Sequence, residues 1–143
     1  MLTRISNFLE VARYERARMS YPSGIDREAL LRAAASLDLL AIGWQPGKAE
    51  LFEARYLENW LVMPGPADRP YQIIGALWSL PTCRTMIVAS VLAIDPEAHW
   101  ARIWDEWVVI DDGFSSAPAF DTAEVQRAGA AWLLRELQAL PVH

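Results

Sequence analysis

Apolar residues in the first half of the chain recur at the spacing of an α-helix. The first segment places them on one face with arginines opposite, which predicts an amphipathic helix. Those apolar residues are Leu2, Ile5, Phe8 or Leu9, and Ala12. A second helix is predicted between Asp26, which can cap a helix N-terminus, and Gly43, which can end a helix. Its apolar stripe consists of Leu30, Ala33, Ala34, Leu37, Leu40 and Ala41.

A third helix is predicted from Lys48 to Leu61, the stretch KAELFEARYLENWL. The turn WQPG precedes this stretch, and the proline-rich loop MPGPADRP follows it and would end the helix. Helical spacing would turn four side chains inward, and these are Leu51, Phe52, Tyr56 and Trp60. The first 61 residues are therefore expected to form a group of N-terminal helices.

The pattern beyond this loop is typical of β-strands. The segments Tyr71–Leu80 and Thr85–Ile94 are short and rich in β-branched and aromatic residues. Pro81 separates them, which suits a turn or the end of a strand. Two consecutive strands are therefore predicted.

The stretch HWARIWDEWVVIDD, from His99 to Asp112, allows two interpretations. Asp-Pro-Glu at residues 95–97 is a good helix start, and a helix would place the three tryptophans of the stretch on one face. Alternatively, a hairpin turn is followed by a third strand, with Trp100 and Trp104 on one face and Trp107 on the other. The strand is favoured because a helix accepts the following Val-Val-Ile run less readily.

A last helix is predicted after the sequence Asp-Thr-Ala-Glu at residues 121–124, which resembles a capping box. Its apolar stripe consists of Val125, Ala128, Trp132, Leu133, Leu137 and Leu140. We expect Trp132 to be substantially buried. The whole chain, residues 1–143, is thus predicted to be one domain of the α+β class, with N-terminal helices, a three-stranded antiparallel meander and a C-terminal helix, the helices covering one face of the meander.

Composition agrees with one domain and limits the choice of partners. Hydrophobic residues make up 53% of the 143, enough for a continuous core. The net charge is −5, and residues 95–124 hold eight carboxylates against a single basic residue, Arg102. Because an acidic surface repels phosphate groups, direct binding of nucleic acid is disfavoured.

The sequence also predicts a cytoplasmic protein. The longest uncharged run, Pro70–Cys83, is too short to span a bilayer. Arg4 and Glu10 interrupt the N-terminal segment before an apolar signal region can form, which argues against secretion. Cys83 is the only cysteine, and one cysteine cannot form an internal disulfide.

No motif in the sequence names a reaction, since G-x-S-x-G, a phosphate-binding P-loop and G-x-G-x-x-G are all absent. His99 and His143 are the only histidines, so neither a zinc site nor another cofactor is expected. Asp111-Asp112-Gly113 lacks the alternating ligands of an EF-hand. Cys83 and His99 would suit a nucleophile and a base if neighbouring strands brought them together, but a lone cysteine is more often a small buried apolar residue.

Several residues between Trp60 and Ile110 stand in a characteristic order. They are Trp60, Arg69-Pro70, Gly75, Pro81, Ser90, Asp95 and Trp100-Ala101-Arg102. This order resembles a family of small uncharacterised bacterial proteins, a domain of unknown function in which W-A-R-T-x-S-R-W-Y-x-L-G is typical. The triplet and Trp107 fit, whereas Ile103, Asp105-Glu106, Val108 and Asp111 depart from the pattern, and Leu80 stands where a histidine is usual. The resemblance implies a strand and a bacterial or mobile-element source, and it implies no known activity.

The stretch from His99 to Asp112 also supplies the candidate site, because it combines three tryptophans with four carboxylates. An exposed tryptophan surrounded by acids is typical of a protein-binding patch. The predicted contact residues are Trp100, Trp104, Asp105, Glu106, Trp107, Asp111 and Asp112.

Two functions compete on this evidence. The favoured one is a non-catalytic acidic protein that binds a partner with a basic surface, and small phage or mobile-element inhibitors of defence systems are one such class. The alternative is a small hydrolase or carbohydrate-binding protein that uses Asp105, Asp111 or Asp112. A deep pocket lined by these carboxylates would favour the alternative, and a flat acidic face would favour the interaction protein.

Overall fold

The computed structural model describes residues 27–66, 69–80, 83–111, 113 and 119–140. The elements in these ranges are, in chain order, α1 (Arg27–Ala41), α2 (Lys48–Leu51), β1 (Arg55–Met63), β2 (Gln72–Leu80), β3 (Cys83–Ile94), β4 (Trp100–Ile103), β5 (Trp107–Ile110) and α3 (Thr122–Ala139). The helix predicted over residues 2–12 lies outside the described residues, and so do Asp26 and Asp112.

The five strands form one closed barrel in the order of the sequence. Each consecutive pair is antiparallel, and the barrel closes by a parallel pairing in which Leu57 of β1 lies beside Ile110 of β5. The closing pair is parallel because four reversals leave β5 running in the same direction as β1. The predicted α+β fold with a three-stranded meander is therefore wrong. The strands β2 and β3 lie where two strands were expected, but β1, β4 and β5 complete a barrel with them.

The strand β1 occupies half of the segment predicted to be the third helix, of which only α2 is helical. The strand pairs with β2 and β5, and it contains a β-bulge where the register between β1 and β2 shifts and Asn59 adopts a φ of 53°. The extra residue lets both Leu57 and Trp60 join the cluster in the barrel interior, whereas the predicted helix turned Tyr56 inward and not Leu57. Phe52, which the helix would have buried, is 86% exposed.

The stretch from His99 to Ile110 is a β-hairpin and not a single strand. Its chain reverses between β4 and β5, where the amide N–H of Ile103 donates to the carbonyl oxygen of Glu106 at 3.0 Å. The reversal brings Trp100 and Trp107 onto the same face, with ring centroids 5.4 Å apart and an interplanar angle of 82°. The prediction that these two rings lie on opposite faces is wrong. Side chains alternate regularly between the two faces of a sheet only along one continuous strand, and here a turn separates the two residues.

Apolar side chains of all five strands fill the barrel, and α3 contributes Val125 to the same cluster. The buried members are Leu57, Trp60, Val62, Ile73, Leu77, Ala89, Val91, Ile94, Ala101, Ile103, Val108, Ile110 and Val125. Alternate residues of β4 and β5 point into this interior, which leaves their other side chains on the outer surface of the barrel.

The long helices α1 and α3 cover part of that outer surface, against β3 and β4. Trp132 of α3 is 5% exposed, which confirms its predicted burial. The helix approaches β3 closely at Gly129, where an added Cβ would lie only 2.7 Å from the Cα of Leu92. The buried residues of this second cluster are Leu30, Ala33, Leu37, Leu92, Ala93, Trp100, Trp132 and Leu133.

Two helix ends agree with the sequence signals that predicted them. Gly43 follows α1 with a φ of 95°, a left-handed conformation that glycine adopts without strain. Asp121 caps α3, since its carboxylate accepts from the amide N–H of Ala123 at 2.9 Å.

Candidate functional site

The predicted contact residues divide into three groups. Four consecutive ones, residues 104–107, form the turn between β4 and β5 and the start of β5, and all four are half-buried. Trp100 lies beneath them and is 5% exposed. Asp111 is exposed at the opposite end of β5, and Asp112 lies outside the described residues. The fold therefore gathers residues 104–107 and separates Asp111 from them.

Tryptophan rings from three parts of the chain support this turn. Trp107 contacts Trp100 edge to face, and it also contacts Trp44 at a centroid distance of 6.0 Å. Trp44 comes from the turn after α1, which the sequence reading treated only as a connection. The rings of Trp44 and Trp100 pack against Trp107 and leave part of it at the surface.

A bidentate ion pair fixes the carboxylate of Glu106. The Nε and Nη2 atoms of Arg55 donate to its two oxygens at 2.9 and 2.7 Å. Arg55 begins β1 and pairs with Val108 of β5, so the ion pair lies where the barrel closes. The hydrogen bond to Glu106 raises the pKa of Arg55. The Glu106 carboxylate is therefore oriented by the barrel.

Arg102 is the most unusual residue of the site because it is a charged side chain with only 5% exposure. It faces Trp107 across the β4–β5 pair, and its guanidinium carbon lies 5.3 Å from the ring centroid. Its Nε atom is buried and has no hydrogen-bond partner. Burial lowers the pKa of Arg102, and the negative charge of nearby Asp105 opposes that effect only in part.

Arg102 and Trp107 line an open depression of about 370 Å³ between α2 and the hairpin. Its full lining is Glu50, Glu53, Ala54, Arg55, Arg102, Glu106 and Trp107. Sequence reasoning missed Glu50 and Glu53 because the predicted third helix placed them on a solvated surface. The available signal was Gly47 followed by Glu50, a helix start in which the carboxylate accepts from the amide N–H of Gly47 at 2.6 Å.

Asp111 belongs to a different part of the barrel. Its carboxylate accepts from the hydroxyl of Tyr56, and its carbonyl oxygen accepts from the indole N–H of Trp60 at 2.7 Å. Both partners come from β1, so these bonds tie the end of β5 to the neighbouring strand. The structure thus gives Asp111 contacts that support barrel closure.

Cys83 and His99 are not placed to act as a nucleophile and a base. They flank opposite ends of β3, a strand of twelve residues that extends roughly 35 Å. Cys83 is exposed, so the prediction that it is a buried apolar residue is wrong. Among the residues that the structure describes, no group of three or more histidine, cysteine or carboxylate side chains could hold a metal ion.

Comparison with known proteins finds no family model, no curated protein and no solved structure that matches the chain. Of the helices within the described ranges, none is both long and apolar enough to cross a membrane.

Proposed function

We propose that the protein is a non-catalytic interaction module that binds a basic surface of a protein partner. The binding surface, called the acidic face below, consists of Glu50, Glu53, Trp104, Asp105, Glu106 and Trp107. The observation that supports this proposal most directly is the position of two half-buried tryptophans among four carboxylates at one corner of the barrel.

The physical properties of the acidic face suit recognition of a cationic surface. Partly exposed tryptophan rings supply contact area at low entropic cost, and the rings of Trp44 and Trp100 hold Trp107 in place before binding. The surrounding carboxylates would accelerate encounter with a basic partner, and this attraction weakens as salt is added. Orientation of Glu106 by Arg55 removes part of the cost of ordering that side chain.

The arrangement of carboxylates argues against the hydrolase alternative. Asp105 and Asp111 lie beyond opposite ends of β5, whose four residues extend roughly 13 Å, whereas glycosidase carboxylates lie about 5 to 10 Å apart. Neither residue lines the depression beside the hairpin. No observation within the described residues favours the hydrolase or the carbohydrate-binding protein.

The partner is expected to be a basic protein. Small acidic inhibitors from phage or mobile elements are one class with this size, charge and lack of catalytic motifs. A basic partner is inferred because its positive charges would complement the carboxylates of the acidic face.

A matched pair of charge reversals tests the proposal. Glu53→Lys changes the acidic face, whereas Glu97→Lys makes the same change in the loop between β3 and β4, where the Glu97 side chain is 81% exposed. The immobilised wild type would capture a partner from a lysate of the source organism at low salt. The captured protein would then be purified and titrated against all three forms by calorimetry, after circular dichroism had confirmed their fold.

Glu53→Lys is expected to weaken binding about tenfold, while Glu97→Lys leaves the affinity near that of the wild type. The affinity of the wild type should also fall with rising salt. Equal affinities for the three folded forms, or an affinity that does not depend on salt, would contradict the proposal.

A further inference from the structure

Arg102 is a buried charge whose Nε atom has no hydrogen-bond partner among the described residues. Buried polar groups in folded proteins are nearly always hydrogen-bonded, and an unsatisfied buried charge costs stability. The ring of Trp107 interacts with the guanidinium electrostatically but accepts no conventional hydrogen bond from it. The Nε donor of Arg102 is therefore not used by the part of the chain that the structure describes.

The position of Arg102 indicates where an acceptor could come from, because this residue lines the open depression. The other guanidinium in the wall, that of Arg55, already donates to both oxygens of Glu106. A planar carboxylate matches the forked donors of a guanidinium, as a phosphate group also does. An anionic group that enters the depression would thus find Arg102 as its unengaged donor.

The other charges of the wall restrict what such an anion can be. Glu50 and Glu53 line the same depression and are exposed, and Glu53 makes no hydrogen bond or ion pair within the described part of the chain. Two glutamates repel a multiply charged anion such as a phosphate ester, and they attract an ammonium or guanidinium group. The lining therefore complements a ligand that carries both signs of charge.

We propose that the depression binds a compact zwitterion of the amino-acid class. The ligand carboxylate is held by Arg102, its cationic group lies near Glu50 and Glu53, and its apolar carbons lie against Trp107. The volume of about 370 Å³ is at the small end of ligand sites and fits one residue. This chemistry has two sources, a free amino acid and the C-terminal residue of a peptide, and it does not depend on the proposed protein partner.

The ligand arms of the test use defined probes on the whole chain, with titration calorimetry as the measurement. L-lysine carries both charges, L-lysine amide lacks the carboxylate, and hexanoate lacks the cation. The tripeptide Ala-Ala-Lys with a free C-terminal carboxylate is compared with its C-terminal amide. Either L-lysine or the free-acid tripeptide is expected to bind with a Kd on the order of 1 mM or tighter, and the result identifies the source.

Titration of protein variants with the same probes locates the site. Arg102→Met is expected to weaken binding of the carboxylate probes at least about tenfold, and Glu53→Gln should weaken it several-fold. Glu97→Gln, far from the depression on the β3–β4 loop, should leave the affinity unchanged. If Arg102→Met failed to fold by circular dichroism, the exposed Glu53→Gln variant and the amide probes would decide the question with a folded protein.

Three results would overturn the proposal. They are no saturable heat with any probe, equal affinities for the free acids and their amides, and an undiminished affinity in folded Arg102→Met. Because no protein partner takes part in these titrations, a negative result here leaves the proposed partner surface to its own test.

Discussion

The guanidinium carbon of Arg102 lies 5.3 Å from the ring centroid of Trp107 because the two residues face each other across β4 and β5. This stacking holds a buried cation at the wall of the depression without hydrogen bonds to the described chain. The same tryptophan also contacts Trp100, so the cation lies at the edge of the helix-covered core. The arrangement predicts that Arg102 contributes less to stability than its burial suggests.

Arg102→Met removes the buried charge and keeps a side chain of comparable length. Replacement of buried charges by apolar residues is often neutral or stabilising, although the cation–π contact is lost. We expect the free energy of unfolding, measured in urea, to stay unchanged or to rise by up to about 2 kcal/mol. Arg55→Met serves as the comparison. It should lower the free energy of unfolding, because Glu106 then loses both hydrogen bonds. A loss of more than about 1 kcal/mol in Arg102→Met would show that the guanidinium stabilises the fold.

Trp132→Ala tests the packing of α3 on the barrel. The indole is 5% exposed and belongs to the cluster between the helices and β3, so its removal leaves a large cavity. The expected cost is about 3 to 5 kcal/mol in the free energy of unfolding. Leu134→Ala, two residues further on the same helix, removes a side chain that is 59% exposed and should cost about 0.5 kcal/mol or less. Similar losses for both variants would contradict the observed orientation of the helix.

The elements that the sequence predicted well carry their signals within a few residues. The helix α1 has an apolar stripe and ends at Gly43, and α3 begins at the cap formed by Asp121. The strands β2 and β3 are apolar runs with breaks on either side. Local propensity and capping are enough to place such elements.

The closed barrel could not be predicted from local patterns, because its closure depends on contacts between residues far apart in the sequence. Arg55 pairs with Val108, and no sequence feature near either residue announces this. The bulge at Asn59 breaks the regular alternation of inward residues along β1, so the segment lacks the spacing of two that would have indicated a strand. The hairpin after β4 was missed because its turn contains neither glycine nor proline nor asparagine.

The candidate site was predicted only in part, because some of its residues are far apart in the sequence. Residues 104–107 are consecutive, so their grouping followed from the sequence directly. Glu53 and Trp44 reach the site only because the barrel brings α2 and the turn after α1 beside β5. Arg102 is buried and its Nε atom has no hydrogen-bond partner among the described residues, and a sequence pattern does not reveal that property.

A double-mutant cycle on Arg55 and Glu106 measures the ion pair at the closing strands. Both side chains are partly exposed, at 42% and 26%, so solvent weakens their attraction. The bidentate geometry keeps it measurable, and we expect a coupling energy of about 0.5 to 1 kcal/mol from Arg55→Gln, Glu106→Gln and the double variant. Added salt should reduce the coupling. Strictly additive effects would show that the ion pair orients Glu106 without stabilising the barrel.

Substitutions of Asn59 test the bulge that reshapes β1. Its φ of 53° lies in the left-handed region, where a side chain with a Cβ is strained and glycine is not. Asn59→Gly is expected to keep the free energy of unfolding within about 0.5 kcal/mol of the wild type, whereas Asn59→Ala should lie about 1 kcal/mol below Asn59→Gly. The order should be reversed at Thr85, an exposed residue of β3 without a positive φ, where glycine is the less stable choice. A higher free energy of unfolding in urea for the alanine variant than for the glycine variant at both positions would contradict this prediction. It would mean that residue 59 does not have the left-handed conformation that lets Leu57 and Trp60 share the interior.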